Sequence, residues 1–386
     1  MTLPPLVEPG PPLTAADLAR YSRHVLVPGV GRTGQRRLAN ARVLVVGAGG
    51  LGSPALLYLA AAGVGTIGVV DFDVVDVSNL QRQVVHPTSA VGTPKVDSAV
   101  RTLHQVNPGV TVNAHRLHLD VTNALDLVGQ YDLVLDGCDN FPTRYLVNDA
   151  CAIAGKPLVW GSVLRFDGQV TVFWSTPPEG HAPVTYRDVF PEPPAPGTVP
   201  SCAEAGVLGA ICGSVGSAMA VEALKLILGV GEPLLGRMLV YSALAATWRE
   251  IPLRPDPATA PIAELVQYDD VCVLPGDEDL PTVDARSLAA LLAAGAELDL
   301  VDVREPDEHA LVGIPGARLV PKARFVDGDG FDELPADRDV ILFCKAGARS
   351  ADVLRLALDR GMTNVRHLAG GVLAWVDDVD PSLPRY

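Results

Sequence analysis

Positive charge is scarce in this chain: 30 lysines and arginines face 45 aspartates and glutamates, a formal net charge of −15. That balance excludes non-specific binding to nucleic acid or anionic membrane, both of which need basic surface. Cysteine is sparse too. Its six residues, at 138, 151, 202, 212, 272 and 344, include no C-x-x-C pair. They form no disulfide framework, and a reducing cytoplasm is the expected setting. The N-terminal MTLPPLVEPGPPLT lacks the basic and apolar regions of a secretory signal. One uncharged run, Val43 to Val70, is long enough to cross a bilayer. Its seven glycines divide it into strand, turn, helix and strand, the pattern of a buried α/β core. Neither internal repeats nor heptads occur.

What remains is apolar and well patterned. Hydrophobic residues make up 48% and charged residues 19%, the balance of a folded protein. A length of 386 residues exceeds one ordinary core, so two domains are expected. Residues 1–13 form a Pro-rich tail, and Thr14 to Leu38 reads as a helix with Thr14 as N-cap and Asp17 three residues on. From Ala41, the runs RVLVVG, TIGVVD, VTVNAH and YDLVLDGCD alternate with helical patterns from Ser53 and near Lys95. Such alternation predicts a mostly parallel, Rossmann-like α/β sheet. GQVTVFW, residues 168–174, reads as an added antiparallel or edge piece. Eight prolines between Pro177 and Pro200 mark an irregular crossing segment, followed by a small-residue helix, GVLGAICGSVGSAMAVEALKLILG. The Pro-rich stretch after Pro252 is a linker. The expected division is a larger α/β unit over 14–254, a linker over 255–280 and a smaller α/β unit over 281–386.

GAGGLG, Gly47 to Gly52, follows the strand RVLVV and satisfies G-x-G-x-x-G in its proper context; Asp71 ends the next strand, where a ribose acceptor belongs. Glycines admit phosphates to the backbone, and the helix behind them offers N–H donors and a positive dipole. This much suits a dinucleotide as well as ATP. The residues that follow favour ATP. Asn79, Arg82 and Gln83 lie just past Asp71, Lys95 follows in GTPK, and DGCDN places Asp139 and Asn140 beyond another strand end. Cations suit a triphosphate and a free carboxylate suits Mg²⁺. A strand-end cap is the plain alternative for Asp139.

YSRH, GAGGLGSP, DFDVVDVSNLQRQ, GTPK and DNFPTRYLVND, in that order, resemble the ThiF/MoeB branch of the ubiquitin-activating superfamily over about residues 14–254. The resemblance implies adenylation of the C-terminal carboxylate of a ubiquitin-like protein. Gly47, Gly49, Gly50, Gly52, Asp71, Ser78, Asn79, Leu80, Gln81, Arg82, Gln83, Lys95, Asp139 and Asn140 are then expected to bind ATP, with Mg²⁺ on Asp139. It also implies that Arg23 reaches into a neighbouring subunit's site in a homodimer; a solvated helix residue is the plain reading. Relatives often hold zinc with two C-x-x-C pairs. Thr185, Asp188, Thr259 and Ile262 stand at those places here, so no zinc is expected.

LDLVDVREPDEH, GIPGA, CKAGARS and LAGGVLAW resemble, in order, the landmarks of a rhodanese domain. The usual His of GHIPGA is Gly313 here. Cys344 stands at a strand end in a loop whose N–H groups and Arg349 favour its thiolate. Four residues separate Cys344 from Arg349, against five in cysteine phosphatases, giving a tighter cradle that favours sulfane sulfur over a phosphate ester. Cys202, in VPSCAEAGVLG, sits where the activating family carries a reactive cysteine, though a small packing residue is the alternative. The remaining cysteines read as packing residues.

Together these resemblances imply ATP-dependent activation of a ubiquitin-like sulfur carrier ending in Gly-Gly. Sulfur transfer from a Cys344 persulfide, charged by a persulfide or thiosulfate donor, would follow in molybdopterin or a related sulfur-carrier synthesis. Conjugation of a ubiquitin-like modifier through a Cys202 thioester, and nucleotide binding without turnover, are the alternatives in other classes. Neither a nucleic acid nor a membrane is an expected partner.

Overall fold

A computed structural model describes residues 3–194, 206–267 and 280–385. The described residues divide into two compact units, one ending at Gln267 and the other beginning at Leu280.

The first unit opens with α1 (Ala15–Arg20), whose N-cap Thr14 and Asp17 form a reciprocal capping box. The single helix expected over 14–38 is instead three pieces, with α2 (Ser22–Val25) and α3 (Gly31–Asn40) following. Pro28 lacks an N–H, and Gly29 and Gly31 take φ of +86° and +57°, which ends one helix and restarts another. Then come β1 (Arg42–Val46), α4 (Gly52–Ala62), β2 (Thr66–Val70), α5 (Lys95–Val106), β3 (Thr111–His115), α6 (Ala124–Gly129) and β4 (Leu133–Asp136). After them come α7 (Phe141–Ala154), β5 (Leu158–Leu164), β6 (Asp167–Phe173), α8 (Tyr186–Val189), α9 (Gly209–Leu228), β7 (Arg237–Ser242) and β8 (Thr247–Pro252).

The sheet order is β3-β2-β1-β4-β5-β6-β7-β8. Val43 faces Ile67 on one side and Leu133 on the other, both in parallel register. The first five strands are parallel and the last three antiparallel. The antiparallel expectation for residues 168–174 therefore holds, but β6 is interior, paired with β5 and β7. Because β1 and β4 are neighbours while their helices leave to opposite faces, a crevice opens beyond their carboxyl ends.

Core residues line both faces of the parallel part of the sheet, as strands covered on both sides require, whereas β8 is exposed. Helix α9 is long and apolar enough to span a bilayer, with mean hydropathy 1.6, yet it is a core helix with Ile211, Val215, Met219, Ala223 and Ile227 buried. Its small residues serve close approach. A methyl on Gly216 would lie 2.4 Å from the Leu51 carbonyl, which is how α9 packs flush against the start of α4.

The second unit is a five-stranded parallel sheet, β11-β10-β12-β13-β9, built from β9 (Thr282–Val283), β10 (Leu298–Asp302), β11 (Arg318–Leu319), β12 (Asp339–Phe343) and β13 (Val365–Leu368). Its helices include α10 (Ala285–Ala293), α11 (Pro306–Leu311), α12 (Lys322–Asp327), α13 (Ala348–Asp359) and α14 (Gly371–Asp378), and it has its own core on each sheet face.

Thr185 and Asp188 spend their polar groups on structure. Asp188 Oδ2 accepts from the Thr185 amide at 2.6 Å and hydroxyl at 2.8 Å, while Oδ1 accepts from the Asp256 amide at 2.9 Å. One carboxylate thus caps α8 and ties down the chain beyond β8. Asp188→Ala should lower unfolding stability by about 1–2 kcal/mol, read from the urea midpoint. An unmoved midpoint would mean that water replaces these bonds without loss.

Candidate functional site

At the carboxyl ends of β1, β2 and β4 lies a cleft of about 900 Å³, counting its open mouth. Its floor is the turn from β1 into α4. Gly47 takes φ +89°, and a methyl on Gly52 would fall 1.8 Å from the Gly47 carbonyl oxygen, so only glycine closes this turn. No side chain caps the start of α4, which leaves its N-terminal dipole available.

Asp71 ends β2. Its Oδ2 accepts from the Ala48 amide at 2.9 Å and its Oδ1 from the Asp73 amide at 2.9 Å. Burial raises its pKa, and Lys95 pulls in the opposite direction. Lys95 opens α5 and is itself buried, its Nζ 2.7 Å from Asp73 Oδ2. Arg82 borders the cleft, held by the Ser78 carbonyl at 3.0 Å and Asn79 Oδ1 at 3.0 Å. Asp76 in turn accepts from the Ser78 amide and hydroxyl at 2.8 and 2.6 Å. Gln83 lines the wall with a buried Oε1 that has no partner, an acceptor awaiting a donor.

Across the cleft stand Asp139 and Asn140, just past β4. Asn140 Oδ1 caps α7 by accepting from the Thr143 amide at 2.9 Å, whereas the Asp139 carboxylate is exposed. Buried Arg144 braces this loop, donating to the Cys138 carbonyl at 3.2 and 3.4 Å while its guanidinium lies near the Trp160 and Phe141 rings. Among the described residues no three His, Cys, Asp or Glu side chains cluster as a metal cage. A cation at Asp139 would complete its shell with phosphate oxygens and water.

Of the expected nucleotide residues, Gly47, Gly49, Gly50, Asp71, Arg82, Gln83, Lys95, Asp139 and Asn140 line the cleft. Gly52 shapes the turn, Ser78 and Asn79 hold Arg82, and Leu80 and exposed Gln81 lie outside the lining. Arg23 is exposed on α2 and does not reach its own chain's cleft. The sequence reading missed Phe72, stacked obliquely on His118 with centroids 4.9 Å apart at the cleft wall, together with Asp73 and Arg144. Phe72 had a signal in following Asp71 directly; His118 had none. Cys138 and Cys212 also line the cleft, and burial together with nearby Asp136 keeps Cys138 a thiol. Burial does the same for Cys151. Cys202 and Cys272 lie outside the described residues.

In the second unit β12 delivers buried Cys344 to the loop before α13. The Gly347 amide donates to its Sγ at 3.1 Å, and Ser350 Oγ lies 3.6 Å away. Arg349 points at Glu308 of α11 in a bidentate pair of 2.7 Å contacts, so Glu308 fixes its orientation. Beneath the loop, Asp302 and Arg304 form a fully buried pair, and His309 Nδ1 lies 2.8 Å from Asp302. His309 also borders Gly313, with Cε1 3.9 Å from where a Gly313 Cβ would be.

Comparisons with known proteins give a family for each unit. Residues 21–261 match the ThiF family and residues 284–378 match the rhodanese-like domain. The probable adenylyltransferase/sulfurtransferase MoeZ of Mycobacterium tuberculosis is 54% identical, covering 100% of this chain and 99% of its own. The sulfur carrier protein adenylyltransferase of Thermus thermophilus is 52% identical over 68% of this chain and 98% of its own. Adenylyltransferase and sulfurtransferase MOCS3 of Sus scrofa is 38% identical over 98% and 90%. Among solved structures, Escherichia coli MccB with ATP aligns at a TM-score of 0.51 and 22% identity over 63% of this chain and 74% of that one, a likeness of fold.

Gly371, at φ +61°, presses on the cysteine loop: a methyl there would lie 2.4 and 2.5 Å from the Cys344 and Lys345 carbonyls. Strain of about 1–3 kcal/mol should open the loop, so Gly371→Ala should speed iodoacetamide labelling of Cys344 about tenfold, followed by peptide mass spectrometry. Equal labelling rates would show that the loop yields without opening.

Proposed function

Because the chain belongs to the ThiF family and carries a rhodanese-like domain in its second unit, we propose a two-step reaction on a ubiquitin-like sulfur carrier ending in Gly-Gly. The chain is an adenylyltransferase and sulfurtransferase that uses ATP. The observation that carries the proposal is convergence. The glycine turn, Asp71, Arg82, Lys95 and Asp139 meet at one cleft, while a separate loop of the same chain cradles Cys344.

In the first step the carrier's carboxylate oxygen bonds to the α-phosphorus, and the bond to the bridging oxygen breaks, releasing pyrophosphate. A carboxylate has no leaving group until this step installs one. Asp71 holds the ribose, while Lys95 and Arg82 carry the phosphate charge. Mg²⁺ bound through Asp139 would supply further neutralisation of that charge. Arg23, on an exposed helix beside Leu26 at 71% and Val27 at 48% exposure, acts across a homodimer at the partner's cleft.

In the second step the terminal sulfur of a Cys344 persulfide attacks the acyl carbon and displaces AMP. A thiol, which we assign to Cys202, then attacks the inner persulfide sulfur to free the thiocarboxylate and leave a disulfide. A thiol reductant opens that disulfide and is itself oxidised, and Cys344 then takes the sulfane sulfur of thiosulfate, releasing sulfite, or that of a donor persulfide, releasing its thiol. The Gly347 amide, which donates to Sγ at 3.1 Å, is the loop donor that faces the reacting sulfur.

Asp139→Ala should abolish ATP–pyrophosphate exchange and leave thiosulfate sulfurtransferase activity within about twofold, since the two sites have no shared residues. Cys344→Ala should do the reverse, and intact mass of a candidate carrier should show no thiocarboxylate from thiosulfate. Full thiosulfate-dependent product from Cys344→Ala would move conjugation through a thioester ahead.

Mixing inactive Arg23→Ala and Asp139→Ala chains should restore part of the exchange activity, because a mixed dimer regains one complete site. No recovery in demonstrated heterodimers would place Arg23 outside the reaction.

A further inference from the structure

Behind the glycine turn, away from the groups already assigned, lies a buried histidine bonded at both ring nitrogens. His86 is 5% exposed. Its Nε2 is 2.9 Å from the Ala48 carbonyl and its Nδ1 is 3.0 Å from Ser98 Oγ. A carbonyl only accepts, so Nε2 carries the proton and the Nδ1 lone pair accepts from the Ser98 hydroxyl. Burial and the neighbouring Lys95 charge both hold the ring neutral.

These two bonds close a circuit. The Ala48 amide donates to Asp71 at 2.9 Å, Asp71 accepts from the Asp73 amide at 2.9 Å, and Asp73 holds Lys95 at 2.7 Å. Lys95 and Ser98 are one turn apart on α5, and Ser98 leads back through His86 to the carbonyl of Ala48. The Ala48 peptide is therefore gripped at both ends. Its position sets the glycine turn relative to the ribose carboxylate, while α5 sets the phosphate lysine. His86 is the one side chain that ties turn to helix within this circuit.

We propose that His86 is a positioning residue that sets the spacing between the ribose carboxylate and the phosphate lysine before ATP arrives, by clamping the Ala48 peptide to α5. The proposal rests on the cleft being an ATP site, as argued above. His86 touches no nucleotide itself. Its removal would leave the buried Ala48 carbonyl without a donor and let the turn drift from Lys95. ATP would then spend binding energy on restoring that spacing, so affinity falls while turnover at saturation stays.

Two isopolar variants separate positioning from packing. A glutamine amide nitrogen reaches as far as Nε2 and can still donate to Ala48, whereas an asparagine reaches only as far as Nδ1. ATP affinity measured by calorimetry on the full chain should fall less than about threefold in His86→Gln and about tenfold in His86→Asn, the scale of one buried hydrogen bond. Turnover in ATP–pyrophosphate exchange at saturating ATP should change less than about twofold in both. Amide hydrogen exchange over residues 46–52 should quicken in His86→Asn alone, a readout available even where a variant is destabilised. Equal ATP affinities for the two variants, or an unchanged exchange rate at the turn in His86→Asn, would overturn the proposal. Calorimetric ATP binding by the parent chain without pyrophosphate exchange in the presence of ubiquitin-like carriers ending in Gly-Gly would sink the adenylation reading alone; no binding at all would sink both.

Discussion

Everything at the first site depends on one close approach, that of the Gly47 carbonyl to Gly52. With 1.8 Å between that oxygen and the place of a methyl, the chain can turn from strand into helix only where side chains are missing. The turn brings the open end of α4 over the ends of β1 and β4, and it leaves peptide groups, not side chains, facing the cleft. Asp71 and Lys95 then have a fixed edge to be measured against. The second unit solves the same problem differently. There a strand also ends in a glycine-bearing turn before a helix, but the turn closes around a sulfur atom, with Gly347 as donor and Gly371 pressed against the loop from outside.

How much of this was legible in the sequence depended on the distance over which each contact acts. Gly47, Asp71 and Lys95 were readable because strand, turn and helix follow one another, and their roles are set by neighbours in the chain. The three-piece start of the first unit was less readable. Thr14 and Asp17 announced a helix start but nothing about its end, and Pro28, Gly29 and Gly31, which break it, lay inside the expected span. Phe72 on His118 and Glu308 on Arg349 were invisible. Each pairs residues from separate elements, and although Phe72 and Arg349 stand in readable stretches, nothing local to either announces its partner. Arg349 was expected as a charge facing the sulfur; the structure shows it oriented by Glu308, a restraint that no local motif announces.

The two sites also differ in how they treat charge. At the first, Lys95 is held by Asp73, a half-exposed carboxylate that a phosphate can displace, and Arg82 is held by neutral oxygens of Ser78 and Asn79. Around the second, charges are matched within the protein, Arg349 with Glu308 and Lys322 with Asp352. An incoming polyanion suits the former. A small sulfur group suits the latter, where Sγ meets the neutral Gly347 amide and the ion pairs serve as braces.

Asp302 and Arg304 are two residues apart on one strand end and wholly out of water. Losing Arg304 leaves buried Asp302 with His309 as its remaining side-chain partner, and losing Asp302 leaves the Arg304 charge with the Val312 carbonyl, a loss of about 3–5 kcal/mol either way. Losing both together is far less severe. Through descent, therefore, these two positions should change together more readily than one at a time, since a single replacement costs more than a paired one.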